Sequence, residues 1–204
     1  MKIEVVPATL DRWPDIARIF AGHGERGCWC QYWRQSSSDY RSGAPGSREA
    51  NLHDQVEHGP PPGMLAYLDG EPVGWLGLWP RERMERLVRS RTIPRIDEKA
   101  VWSIVCFEVR VGYRRKGVAQ ALLNGAIAFA REAGVPALEA YPVDPEGSRV
   151  DVTFGYVGFT PMFERSGFRR VLATAARSDR RPRWLMRLDL AGGAHAPPAE
   201  SGPS

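Results

Sequence analysis

An α/β fold is the class this 204-residue sequence predicts, and three observations predict it. Residues 101–109 form a continuous apolar, β-branched run of the kind found in a central strand. That run passes through a short basic loop into an apolar-striped helix over 118–133, with Gly134 as its stop. A further strand over 137–143 follows, and strand, helix, strand implies a right-handed parallel crossover. Upstream, Asp69-Gly70 joins two apolar runs, 64–68 and 73–78, in the pattern of a hairpin.

The remaining elements fall around this frame. Residues 3–6 alternate and read as a first strand. Residues 13–20 place Trp13, Ile16, Ile19 and Phe20 on one helical face, with Asp11 as a cap ahead of Pro14. Residues 23–33 form a loop rich in Gly, Cys and aromatics, and 36–47 are polar and turn-rich. A second helix starts at Ser47 and is stopped by Gly59 and the prolines at 60–62. Residues 81–98 are charged, contain Pro94 and read as a long surface connection. After the strand at 137–143, residues 145–160 are a Gly-rich, partly aromatic loop and 160–166 a short helix. Gly167-Phe168 then mark a stop and a re-entering strand, and 184–190 alternate as a last strand. The Arg-rich run 177–183 reads as a solvated face that could touch an acidic partner. Residues 191–204 have almost nothing to bury and are expected to be a disordered tail, leaving 1–190 as one domain. No internal repeat is visible.

Composition narrows the class. The chain is 43% hydrophobic and 25% charged, as in a globular protein. No run of about 18 apolar residues occurs, and the N-terminus lacks the apolar core of a signal peptide, so a cytoplasmic protein with no membrane partner is expected. The net charge is +4 and all but three of the 28 basic residues are arginine. That permits an anionic ligand such as CoA or RNA without requiring one. Cys28 and Cys30 flank Trp29 and Cys106 stands apart, which is no disulfide framework. The CxC pair with His23 lacks tetrahedral zinc spacing, so no metal is expected.

The chemistry concentrates at the junction of strand 101–109 with the helix. A helix's first turn presents free N–H groups and partial positive charge, an anion site suited to phosphate. Gly117 lets a ligand approach the backbone, Ala119 keeps the first turn small, and Arg114, Arg115 and Lys116 add charge.

Arg114-Arg115-Lys116-Gly117-Val118-Ala119 resembles the R/Q-x-x-G-x-G/A motif of the Gcn5-related N-acetyltransferases. Phe163-Glu-Arg-Ser-Gly167-Phe168 is similar to that family's late aromatic-x-x-x-Gly-Phe element, and the order of elements over about 3–190 follows its fold. The resemblance implies a central mixed sheet of six or seven strands flanked by helices, its fourth and fifth strands parallel and splayed. It implies acetyl-CoA, or another acyl-CoA, as co-substrate between those strands. The pyrophosphate would lie on the amides of 115–120. Val109, Val111, Arg114, Arg115, Lys116, Gly117, Val118, Ala119 and Gln120 would form the donor site, with a backbone N–H near Val109 on the thioester carbonyl. The amine would attack directly.

Phe163 stands where many relatives carry a tyrosine that protonates the leaving thiolate. Tyr141, Tyr156, Cys106 or water could replace it. Glu108 or Glu139, each expected half-buried, is the prospective base, so Glu108, Glu139 and Tyr141 are the catalytic set. Trp29, Tyr32 and Trp33 are the expected acceptor wall, with capping of the core as the rival role. The first functional reading is acetyl transfer to a small-molecule primary amine. Two others stay open: an aminoacyl-tRNA donor or an RNA or protein acceptor, and an acyl-CoA-binding module without turnover. A homodimer through exposed strand edges is possible.

Overall fold

The computed structural model describes residues 2–24, 27–145, 152–178 and 180–190. The expected tail at 191–204 and part of the loop at 145–160 lie outside them. In chain order the elements are β1 (Ile3–Pro7), α1 (Trp13–Phe20), α2 (Ser37–Ser42), α3 (Ser47–His58), β2 (Gly63–Leu68), β3 (Glu71–Pro80), α4 (Glu85–Val88), β4 (Val101–Val109), α5 (Val118–Glu132), β5 (Ala137–Ala140), α6 (Thr160–Arg165), β6 (Arg169–Ser178) and β7 (Arg181–Asp189). The seven strands form one sheet in the order β1-β2-β3-β4-β5-β7-β6. Every neighbouring pair is antiparallel except β4–β5, which is parallel.

The alternation of strand side chains sends two sets of residues to two cores. On one face α5 buries Val118, Leu122, Leu123, Ala126, Ile127 and Ala130 against Met64, Leu76, Ile104 and Phe107. Each of the Val, Leu and Ile side chains contributes about 1.5–3 kcal/mol on burial. Gly125 lets this helix lie against β1, because a Cβ there would stand 2.4 Å from Val5 Cγ1. Val135 N–H returns to the Ala130 carbonyl at 2.9 Å with Gly134 at φ +67°, the glycine-terminated helix end that the sequence predicts.

On the other face α1, α3 and the aromatic segment cover Leu65, Trp75 and Val105. The first helix departs from its expected cap: a 3-10 turn at Leu10–Arg12 precedes it, and Arg12 occupies the cap position with no side-chain bond. The polar stretch 36–47 contains a helix, because Ser36 Oγ accepts from the Asp39 N–H at 3.1 Å. The run 177–183 is a solvated face only in part, at Arg177 and Arg180. It closes the β6–β7 hairpin, and Ser178 and Arg183 are buried.

Candidate active-site cleft

The parallel pair is short. β4 meets β5 only from Val101–Ile104 opposite Ala137–Ala140. Gly77 pairs with Cys106 and Leu78 with Ile104, so Val105 is an extra residue in β4. Such a bulge bends a strand and raises its twist. Past this point Val143 bridges Phe159 and Arg183 rather than β4. A cleft of about 860 Å³ opens there, with Phe107, Glu108 and Val109 on one wall and Gly155, Tyr156 and Phe159 on the other.

One end of the cleft is the start of α5. Gly117 occupies its cap at φ +83°, and no side chain caps the helix. Arg115 is also left-handed, at φ +61°. Such loops turn successive N–H groups toward one concavity, which suits an anion. A Cβ on Gly117 would meet only Ile3 Cδ1, at 4.0 Å, so glycine serves backbone conformation and ligand approach here rather than packing. Arg114 Nε donates to the Val109 carbonyl at 3.2 Å, tying the loop to its strand. Of the expected donor-site residues, Val109, Arg114, Arg115, Gly117, Val118, Ala119 and Gln120 line the cleft. Lys116 lies over the Tyr113 ring, its Nζ 5.2 Å from the centroid, and Val111 is 83% exposed outside the lining. Gln120 donates to Ser166 Oγ at 2.8 Å, linking α5 to the end of α6. The basic rim, the uncapped helix start and the open space before Gly117 fit a diphosphate.

Glu108 and Tyr156 line the same cleft. The Glu108 side chain is 23% exposed, with His23 Nε2 3.7 Å from its Oε2. Burial pushes its pKa up, and His23 and Arg114 pull against that rise. Burial also pushes the Tyr156 phenol up. Phe163 is fully buried, edge-on to Phe107 and Phe168 at 6.0 and 5.1 Å.

Glu139 and Tyr141 are elsewhere. Glu139 is opposite Ser103 in the register and only 1% exposed. Its carboxylate accepts from Arg187 Nη2 at 2.5 Å and faces Arg81 Nε at 3.6 Å. Arg187 in turn pairs with Asp97. Tyr141 is fully buried; its hydroxyl donates to Glu139 at 3.0 Å and lies 2.8 Å from Ser103 Oγ. Burial foremost, then the Glu139 charge, pushes its pKa well up. Neither residue lines the cleft. Glu139 was expected near the chemistry because its strand pairs with β4, but the register places it opposite Ser103; Tyr141, named as a possible acid, is buried with its hydroxyl on Glu139.

The aromatic segment divides. Trp29 is buried against Trp13 and Phe20, at 6.1 and 5.2 Å, and Trp33 is buried as well. Tyr32 is 38% exposed, edge-on to Trp33 at 5.1 Å. Trp29 and Cys30 turn through left-handed φ of 46° and 57°. Cys30 fills the notch left by Gly77, where a Cβ would lie 2.3 Å from its Sγ. The neighbouring Cys106 thiol and Arg34 hold the Cys30 thiol below its ordinary pKa despite burial, while Cys106 is pushed up. Among the described residues no group of three or more His, Cys, Asp and Glu is arranged to hold a metal ion.

Arg183 is placed by the sequence only within the run 177–183, expected to be solvated. It is 3% exposed on β7, and its Nε donates to the Tyr141 carbonyl at 2.8 Å. Its guanidinium carbon lies 5.4 Å from the Trp33 ring centroid. Burial lowers its pKa, against the phenols of Tyr156, Tyr141 and Tyr32.

The fold agrees with the comparisons. Residues 28–149 match the model of the acetyltransferase (GNAT) family, more than half of the chain. The chain belongs to that family. The structure is similar to an acetyltransferase from Corynebacterium glutamicum ATCC 13032, described as histone acetyltransferase HPA2 and related acetyltransferase. The TM-score is 0.57 at 20% identity, over 94% of this chain and 98% of that one. It is also similar to the ribosomal-protein-S18-alanine N-acetyltransferase of Escherichia coli, with a TM-score of 0.52 at 13% identity over 96% and 98%. A chain of the NatC complex bound to Gag peptide and CoA gives 0.55 at 14% over 94% and 100%. These likenesses show the fold. No curated protein sequence matches. The family supports acyl-CoA-dependent N-acetyl transfer in general terms. Among the described residues no helix is long and apolar enough to cross a membrane.

Proposed function

We propose that this protein transfers an acetyl group from acetyl-CoA to the primary amine of a small molecule by direct attack. The observation that carries this reading is one cleft lined by an uncapped, basic helix start together with a half-buried carboxylate and a phenol. Acetyl-CoA, when bound, supplies the activated thioester; a relative of this fold, the NatC complex, was solved with CoA.

In this reading the first-turn amides of α5 and the Arg114 and Arg115 side chains hold the pyrophosphate. Among the described residues the edge of β4 that faces β5 has no strand partner beyond Ile104, and its N–H groups stabilise charge growing on the thioester oxygen. Glu108 takes the amine's proton, directly or through one water, with its raised pKa bringing it nearer to neutral pH. Tyr156 gives a proton to the departing sulfur, the task for which Phe163 has no hydroxyl. Glu139 and Tyr141 are assigned to the buried scaffold.

Thiol release from acetyl-CoA over a panel of primary amines tests the reading. Varying both substrates should give intersecting initial-velocity lines, as direct transfer requires. Parallel lines would indicate a covalent acyl-enzyme and would refute direct attack.

A further inference from the structure

A buried cation without a buried anion calls for an explanation, because an isolated charge in a dry site costs several kcal/mol unless it is paired. Arg187 and Arg81 meet that requirement with Glu139 and Asp97. Arg183 does not. Its Nε donates to the Tyr141 carbonyl, but its Nη2 is buried with no hydrogen-bond partner among the described residues. Among the described residues its neighbours include the Trp33 face and the phenols of Tyr156, Tyr141 and Tyr32. Among the described residues no carboxylate forms a salt bridge with it.

Its position gives this charge a use. Arg183 bridges Val143 where β5 has already parted from β4. Arg183 is itself outside the lining of the cleft that holds Glu108; Tyr156, which stands beside its guanidinium, lines that cleft and separates the two. The solvent side is closed by Trp33, with Tyr32 partly exposed next to it.

We propose that Arg183 is the anion-recognition residue of the acceptor site, and that the acceptor is a primary amine bearing its own carboxylate, an amino-acid-like small molecule. The inference rests on the N-acyltransferase reading above and narrows it. The carboxylate takes the Nη2 donor, which has no hydrogen-bond partner among the described residues, with the phenols of Tyr156 and Tyr32 at its flanks. The amine of the same molecule then faces Glu108. A site of this kind selects against polyamines and aminoglycoside-type amines, whose remaining charges would repel Arg183.

The test is a set of matched pairs, each free amino acid against its carboxamide, assayed by thiol release from acetyl-CoA with the full chain. In at least one pair the acid should exceed the amide in kcat/KM by about 100-fold or more, the scale expected when a buried charge loses its partner. Arg183→Met should bring that ratio to within about 3-fold, and Arg183→Lys should restore part of it. Calorimetric affinity for acetyl-CoA should be the same in all three proteins. Loss of acetyl-CoA binding by the wild-type chain would strike the N-acyltransferase reading itself. If acetyl-CoA binds but amides or polycations react as well as acids, or no acid reacts, the carboxylate assignment is overturned. The wild-type pairs decide this even if Arg183→Met does not fold.

Discussion

Glu139 lies opposite Ser103 in the β4–β5 register, and Glu108 is five residues further along β4, which sets the two carboxylates about 15 Å apart along the sheet. They are therefore not alternatives for one task. Glu108 borders the cleft beside His23, while Glu139 is enclosed by Arg187, Arg81 and Tyr141.

Glu108→Gln should lower kcat by about 100-fold, the lower end of what a positioned base supplies, and leave acetyl-CoA affinity unchanged. In the wild type, log kcat/KM should rise with pH and level off above the Glu108 pKa, which burial raises; the variant should lack that limb. Stability moves the opposite way. A folded pKa above the unfolded one means that the folded state holds this proton more tightly, so ionisation erodes stability as pH rises through that window. Glu108→Gln should thus melt no lower than wild type at pH 8. A pH–rate profile with matching melting curves checks both signs.

Glu139→Gln should act on stability. Removing one partner of a buried ion cluster leaves Arg187 and Arg81 short of charge and costs about 3 kcal/mol. In a chain of this size that is a fall in Tm of roughly 6–12 °C. The kcat of the folded protein at low temperature should stay within about 2-fold of wild type. A large kcat loss at unchanged Tm would return Glu139 to the chemistry.

Tyr156→Phe should slow transfer by roughly 10-fold or more, as loss of general-acid help does. The effect should shrink with donors whose thiol leaves more easily. Equal losses across donors of differing thiol pKa would count against protonation by Tyr156.

Much of this was legible in the sequence because it is local. The helix over 118–133, its glycine stop and the basic loop before it are encoded within about thirty consecutive residues, and so is the Asp69-Gly70 hairpin. The register of β5 against β4 is a long-range property. Nothing near Glu139 distinguishes a half-buried glutamate from one locked between two arginines. Arg183 was hidden by a sound expectation, that arginine in a charged run is solvated. A period-2 signal was nevertheless present: residues 183, 185 and 187 all point inward on β7, two of them arginines. The same blindness affected Trp29 and Trp33, whose spacing does not reveal which rings turn into the core.

Gly125→Ala tests the packing account away from the site. The added methyl would collide with Val5, and overpacking of this kind costs about 1–3 kcal/mol. The Tm should fall while kcat is retained at low temperature. An unchanged Tm would mean that α5 does not lie against β1 as described.

The central claim is that the start of α5 holds the diphosphate of an acyl-CoA. Calorimetric titration of the full chain with acetyl-CoA, at low and at physiological salt, tests it most directly. The account predicts one-site binding in the micromolar range. Gly117→Glu should abolish it, through like charge in front of the helix and about 1–2 kcal/mol of left-handed backbone strain, while its melting curve stays within a few degrees of wild type. No binding of acetyl-CoA by the wild-type chain at either salt, or undiminished binding by a folded Gly117→Glu, would contradict the account.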